Sequence, residues 1–99
     1  MPKQIIWSPA ADIDFAEILA YLSKKWSNKV VNQFIDTVDV YLQFISVNPK
    51  MFPLINKKLN VRKCVLTKQN SLFYRELKDS VELIRIFDTR QNPKKLKLD

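Results

Sequence analysis

The chain has 99 residues, 46% of them hydrophobic and 27% charged, with 17 Lys and Arg against 10 Asp and Glu for a formal net charge of +7. That size is one small domain around one core, residues 1–99, and the absence of low-complexity tracts or a Pro/Ser-rich linker excludes a disordered chain. Histidine and glycine are missing and Cys64 is the single cysteine, which excludes an intrachain disulfide, the usual zinc ligand sets and the glycine-rich phosphate loops.

In chain order, "KQIIWS" (residues 3–8) reads as a short strand of pleat-favouring residues. Ser8 before Pro9 is an N-cap followed by proline at the first helical position, and Asp12 and Asp14 suit the positive end of the helix that follows. Its apolar stripe is Phe15, Ile18, Leu19, Leu22 and Trp26. A second stripe, Val31, Phe34, Ile35, Val38, Tyr41, Leu42 and Ile45, predicts a second helix, and the short "KKWSNK" connection makes the two an antiparallel hairpin. Asn48-Pro49 ends the second helix because the residue before proline is pushed out of the α region.

"PKMFPLINKKLN" (49–60) has two prolines and no period, and is expected to be a loop. "VRKCVL" (61–66), "SLFYREL" (71–77) and "VELIRIFD" (81–88) are strands, the last two joined by "KDS" as an antiparallel hairpin. The order β-α-α-β-β-β is an α+β fold, with the helical hairpin packed on a mostly antiparallel sheet. Without glycine, the turns fall to Asn28, Asn56, Asn60, Asn70 and Asn92, among others.

Charge is uneven along the chain. Residues 1–49 hold four basic and five acidic side chains, whereas residues 50–99 hold thirteen basic and five acidic. Such a field favours nucleic acid, an acidic protein or an anionic surface as partner. No apolar run reaches the ~18 residues of a membrane span, and "MPKQIIWSPA" is too short in apolar residues for a signal peptide, so the chain reads as cytoplasmic.

Candidate chemistry is sparse. Without histidine, proton transfer near neutral pH needs a perturbed carboxylate, lysine or tyrosine, and no spacing singles one out. Asp12, Asp14 and Glu17 read as helix-start electrostatics and solvation. Cys64, flanked by Arg62 and Lys63 that would lower its thiol pKa if it were exposed, has no histidine to act as its base and reads as a buried inert hydrophobe, and no metal site or cofactor is expected. Alternation sets Arg62 and Lys63 on opposite sheet faces. Arg75 and Arg85 interrupt apolar strands and must reach the sheet edge, pair with a carboxylate, with Glu76, Glu82 or Asp88 across the hairpin as the candidates, or contact a ligand. Arg90 and Gln91 precede a proline-set turn, followed by Lys94, Lys95 and Lys97.

Three stretches carry a family resemblance: "WSPAADIDFAEILAYL" at 7–22, "SLFYREL" at 71–77 and "LIRIFDTRQNPKKL" at 83–96. The chain resembles the RelE/ParE superfamily of toxins from bacterial type II toxin–antitoxin modules, most closely its ParE branch. The resemblance implies a toxin neutralised by a cognate antitoxin and inhibiting DNA gyrase by binding, with no catalytic residue. Arg62, Lys63, Arg75, Arg90 and Gln91 would contact the target, the first three adding charge to one side of the sheet, and Tyr21, Trp26 and Arg85 would contact the antitoxin. RelE-like members instead cleave messenger RNA on the ribosome; in that alternative Arg62, Lys63, Arg75 and Arg90 would stabilise a phosphorane-like state. This chain departs from those ribonucleases, with Asn70 or Ser71 where they place an arginine and no tyrosine or histidine after Arg90. It departs from the ParE branch at Asp88, where a histidine is common. A noncatalytic nucleic-acid binder is a further alternative, to be recognised by a steep salt dependence.

Overall fold

The computed structural model describes residues 2–89 and Leu98. Its elements are β1 (Gln4–Trp7), α1 (Pro9–Lys25), α2 (Asn28–Val47), β2 (Leu54–Asn56), β3 (Val61–Val65), β4 (Asn70–Glu76) and β5 (Ser80–Asp88). The five strands form one sheet in the order β1-β5-β4-β3-β2. Only β1 runs parallel to its neighbour, with Gln4 opposite Ser80 and Trp7 opposite Leu83; the other pairs are antiparallel. The α+β architecture and helical hairpin expected from the sequence are therefore present.

The expected caps form. Ser8 Oγ accepts from the Ala11 backbone N–H at 3.0 Å, with Pro9 opening α1. In one region the strand pattern was hidden: β2 lies inside the segment expected to be a loop. It is a three-residue edge strand with an irregular register against β3, too short for a period and directly after Pro53. Of the asparagines expected in turns, Asn60 takes the left-handed conformation with φ 57°. Asn56 accepts the Leu59 N–H at 2.9 Å through its side chain. Asn28 instead begins α2, and Asn92 lies outside the described residues.

Strand alternation builds two apolar layers. On the helix side, Cys64, Leu66, Leu72, Tyr74, Val81, Leu83 and Ile86 pack with Ile18, Phe34, Val38 and Ile45 from the helices. On the opposite face, Val61, Phe73, Ile84 and Phe87 form a smaller cluster with Leu59 and Leu98 against it. Trp26 leaves the α1 stripe. Its backbone is extended at the helix end, so helical spacing no longer applies, and its side chain is 60% exposed.

Strand β5 runs past its parallel partner, and its unpaired edge is completed by side chains of the α1 start. Ser8 N–H donates to Leu83 O at 3.0 Å and Ser8 Oγ–H to Ile84 O at 2.8 Å. Asp14 then accepts the Ile86 N–H at 3.1 Å and takes the Arg85 guanidinium in two bonds, Nε to Oδ2 at 2.6 Å and Nη2 to Oδ1 at 2.8 Å. A register shift between Phe73 and Tyr74 leaves Ile84 as an extra residue on β5. Strict alternation from Val81 and Leu83 would put Arg85 in the helix-side core; the bulge gives that place to Ile86 and turns Arg85 to the edge. Two expectations are corrected here. Arg85 pairs with Asp14, not with an acid of the hairpin, and Asp14 is a buried ligand of Arg85, not a solvated helix-start charge. The pairing also raises the Arg85 pKa above its ordinary value, first through the Asp14 hydrogen bonds.

Tyr74, fully buried, donates its hydroxyl to Pro49 O at 2.7 Å, tying β4 to the chain leaving α2. Burial pushes its phenol from 10.0 up to about 12.

Replacing Asp14 with Ala leaves a partly buried guanidinium unpaired and strands the Ile86 N–H, so chemical denaturation should show a loss of about 3 kcal/mol. For Tyr74 the folded state holds its proton more tightly than the unfolded chain. The stability this contributes is complete below pH 10 and is lost as pH rises toward about 12. An alkaline titration of unfolding free energy should accordingly fall less steeply for Tyr74→Phe than for the wild type.

Candidate functional site: two interaction surfaces

The first surface is the sheet face opposite the helices. Lys63 lies opposite Phe73 across β3 and β4, and Arg75 lies opposite Glu82 across β4 and β5. Directly opposed residues share a face, so Lys63 and Arg75 stand with the Phe73 and Ile84 cluster. Arg75 Nε lies 3.1 Å from Glu82 Oε1, an ion pair without hydrogen-bond alignment, and Arg75 Nη2 donates to Leu98 O at 3.1 Å. Beside them Ser8, Pro9, Ala10, Glu82, Ile84 and Arg85 line a cleft of about 440 Å³.

Arg62 does not join this face. It lies opposite Tyr74 on the helix side, where Nη1 donates to Phe52 O at 2.8 Å and to Lys50 O at 3.4 Å. Arg62 and Tyr74 thus hold the same loop, carbonyls 49–52, from neighbouring strands. The expectation that Arg62, Lys63 and Arg75 charge one side is corrected, because a strand period of two separates adjacent residues. Arg90 and Gln91, the remaining expected target contacts, lie outside the described residues.

The second surface runs along the helical hairpin. Tyr21 is 40% exposed on α1 and Trp26 stands at its end. Arg85, expected with them, sits on Asp14, roughly 10 Å from Tyr21 and 20 Å from Trp26 along a helix rising about 1.5 Å per residue. The structure therefore sets Arg85 of β5 apart from Tyr21 and Trp26 and does not gather the three. Trp26 lines a cleft of about 380 Å³ with Leu22, Val30, Phe34, Thr67 and Asn70, among others, between the turn of the helical hairpin and the β3–β4 turn. The sequence reading passed over Asn70 and Thr67 as parts of a site. A usable signal was "TKQN", where the Thr67 hydroxyl accepts the Gln69 and Asn70 N–H groups at 3.3 and 3.2 Å and makes a rigid turn. Also missed were Val40, Phe44 and Val47, exposed on α2. Their signal was a helix with more apolar positions than one stripe requires.

Cys64 is completely buried, and that burial raises its thiol to about 12, consistent with an inert core position. Among the described residues, no group of His, Cys, Asp and Glu is arranged to hold a metal ion, and no helix is long and apolar enough to cross a membrane.

A search of curated proteins finds no match. Among solved structures, a chain of the chromosomal ParDE toxin–antitoxin system from Pseudomonas aeruginosa superposes with a TM-score of 0.72 at 14% identity, covering 87% of this chain and 95% of that one. A YoeB/ParE toxin from Agrobacterium tumefaciens gives 0.62 at 11% identity, covering 86% and 97%. A conserved hypothetical protein from Helicobacter pylori gives 0.57 at 19% identity, covering 90% and 97%. These likenesses establish the shared fold. The family model for the ParE toxin of the type II toxin–antitoxin system parDE matches residues 5–93, from the first strand through the "TRQNP" element, and the chain belongs to that family.

Proposed function

We propose that the protein is a toxin that inhibits DNA gyrase by binding to it and is held inactive by a cognate antitoxin. Family membership supports the toxin, and one structural observation favours binding over catalysis. Two of the three sheet arginines are committed to partners within the fold, Arg85 to Asp14 and Arg62 to backbone carbonyls, while Arg75 lies beside Glu82 with its Nε unbonded. A ribonuclease needs positive groups aimed at the developing charge of a phosphoryl transition state and a proton carrier beside them. Arg62 and Arg85 are held inside the fold by these contacts, and the chain has no histidine. Lys63, Arg75 and, in this reading, Arg90 and Gln91 grip the target through the sheet face opposite the helices. The antitoxin contacts Tyr21, Trp26 and the Arg85 end of α1, and its acidic residues complement the basic half of the chain. Action on gyrase and neutralisation by a small protein both fit a cytoplasmic location.

In a plasmid supercoiling assay with purified gyrase, the protein should block supercoiling and the antitoxin should restore it. Ribosome-dependent cleavage of messenger RNA with supercoiling untouched would overturn the proposal in favour of an interferase. Within the same assay the two basic residues at the start of β3 should separate. Lys63→Glu should weaken inhibition about tenfold without changing thermal stability, as expected for a charge acting across an interface. Arg62→Ala should destabilise the fold by about 1–3 kcal/mol through unsatisfied loop carbonyls and leave inhibition by the remaining folded protein unchanged.

A further inference from the structure

The sheet face turned away from the helices is not bare. Val61, Phe73, Ile84 and Phe87 on that face are each exposed by 8% or less. In a fold with helices on one side of an antiparallel sheet, the other side is ordinarily left to water and lined by polar residues. Four buried apolar side chains there need a cover. Among the described residues two side chains supply it, Leu59 and Leu98. Leu59 belongs to the β2–β3 turn, where its N–H donates to Asn56 Oδ1 at 2.9 Å. Leu98 comes from the chain beyond β5.

The Leu98 carbonyl matters for what it holds. Arg75 Nη2 donates to it at 3.1 Å, the one aligned hydrogen bond on that guanidinium among the described residues. Glu82 Oε1 stands 3.1 Å from Arg75 Nε, but Nε is buried without a hydrogen bond. Coulomb attraction alone has little directional preference, whereas a hydrogen bond fixes an angle as well as a distance. The orientation of the guanidinium is thus set by Leu98, whose own place is set by apolar contact with the cluster. Arg75 Nη1 makes no hydrogen bond among the described residues and is the edge left for an outside acceptor. The side chain is 24% exposed and lines the cleft of about 440 Å³ with Glu82 and Ile84.

We propose that Leu98 is a positioning residue for target binding. Seated on the far-face cluster, it holds its carbonyl where that group orients Arg75, so that the free Nη1 edge is ready for an acidic group of the target. A planar guanidinium already fixed in direction loses less freedom when it meets a carboxylate than a long side chain still free to turn. This rests on the gyrase reading above and adds to its target surface a residue that touches no target itself. A Leu98 that only covered the cluster would contribute stability and nothing to recognition.

The test compares inhibition of gyrase supercoiling by the wild type, Leu98→Ala, Leu98→Met, Arg75→Ala and the variant carrying both alanines, with melting temperature and antitoxin affinity followed in parallel. Leu98→Ala should raise the concentration needed for half inhibition about tenfold, while its antitoxin affinity stays within about twofold of the wild type. Leu98→Met refills the apolar seat and keeps the backbone carbonyl, and should return to within about threefold of the wild type. In the Arg75→Ala background, Leu98→Ala should add less than about twofold, because no guanidinium is left to orient. If the two alanine effects multiply independently, Leu98 does not act through Arg75 and the proposal fails. Inhibition by Leu98→Ala equal to that of the wild type also overturns it, and stronger inhibition would show that Leu98 shields the face from the target. Loss of inhibition, antitoxin binding and melting temperature together would leave Leu98 a purely structural role. A wild type that binds its antitoxin but leaves supercoiling untouched removes the gyrase reading and this proposal with it.

Discussion

Asp14 is where the two halves of the fold are locked together. A parallel strand at a sheet edge can cover only as much of its neighbour as it is long, and β1 is four residues against nine in β5. The part of β5 beyond Leu83 needs another source of acceptors and donors. Ser8 and Asp14 provide it from the first turns of α1, so the helix is fixed to the sheet by side-chain bonds to backbone as well as by apolar packing. The bulge at Ile84 and the bidentate Arg85 contact belong to the same solution. Together they allow an arginine in the middle of an apolar strand without placing a charge in the core.

This lock has a consequence for function. The arginines that look most like reactive or target-binding groups in an unfolded list of residues include two, Arg62 and Arg85, that hold loops and edges in place. What remains for partners is arranged on two separate surfaces. The sheet face opposite the helices bears Lys63 and Arg75 around a small apolar cluster. The helical hairpin bears the cleft beside Trp26 and, along α2, the exposed Val40, Phe44 and Val47. On the proposed reading, in which an antitoxin grips the protein and the protein grips a target, such a division keeps apart two surfaces that would recruit acidic partners by the same physics.

The reading from sequence was strongest where one local rule dominated. The Ser8-Pro9 start of α1, the Asn48-Pro49 end of α2 and the β4–β5 hairpin all follow from steric and hydrogen-bonding preferences of a few adjacent residues. It was weakest where distant residues decide. Asp14 looked like any acid near a helix start, since nothing in its neighbours shows that Arg85, 71 positions away, will meet it. Strand β2 escaped because three residues after a proline have no period to read. Trp26 fitted the α1 stripe by number, but the helix ended one residue before it.

The sequence by itself determined a basic chain without the residues for zinc, intrachain disulfide or glycine-loop chemistry, with two amphipathic helices and, apart from β2, the strands in their observed order. These follow from composition and from periods of 3.6 and 2, which are local properties of the chain. Only the tertiary structure decided that β1 joins β5 in parallel, that Arg62 ties down the loop after α2, that Arg85 belongs to Asp14 and that Asn70 lines a cleft beside Trp26 with one polar atom unmatched. Each of these depends on which segments become neighbours in the packed sheet, and that is settled by the global burial of apolar area and the pairing of buried polar groups, not by the preferences of any single stretch.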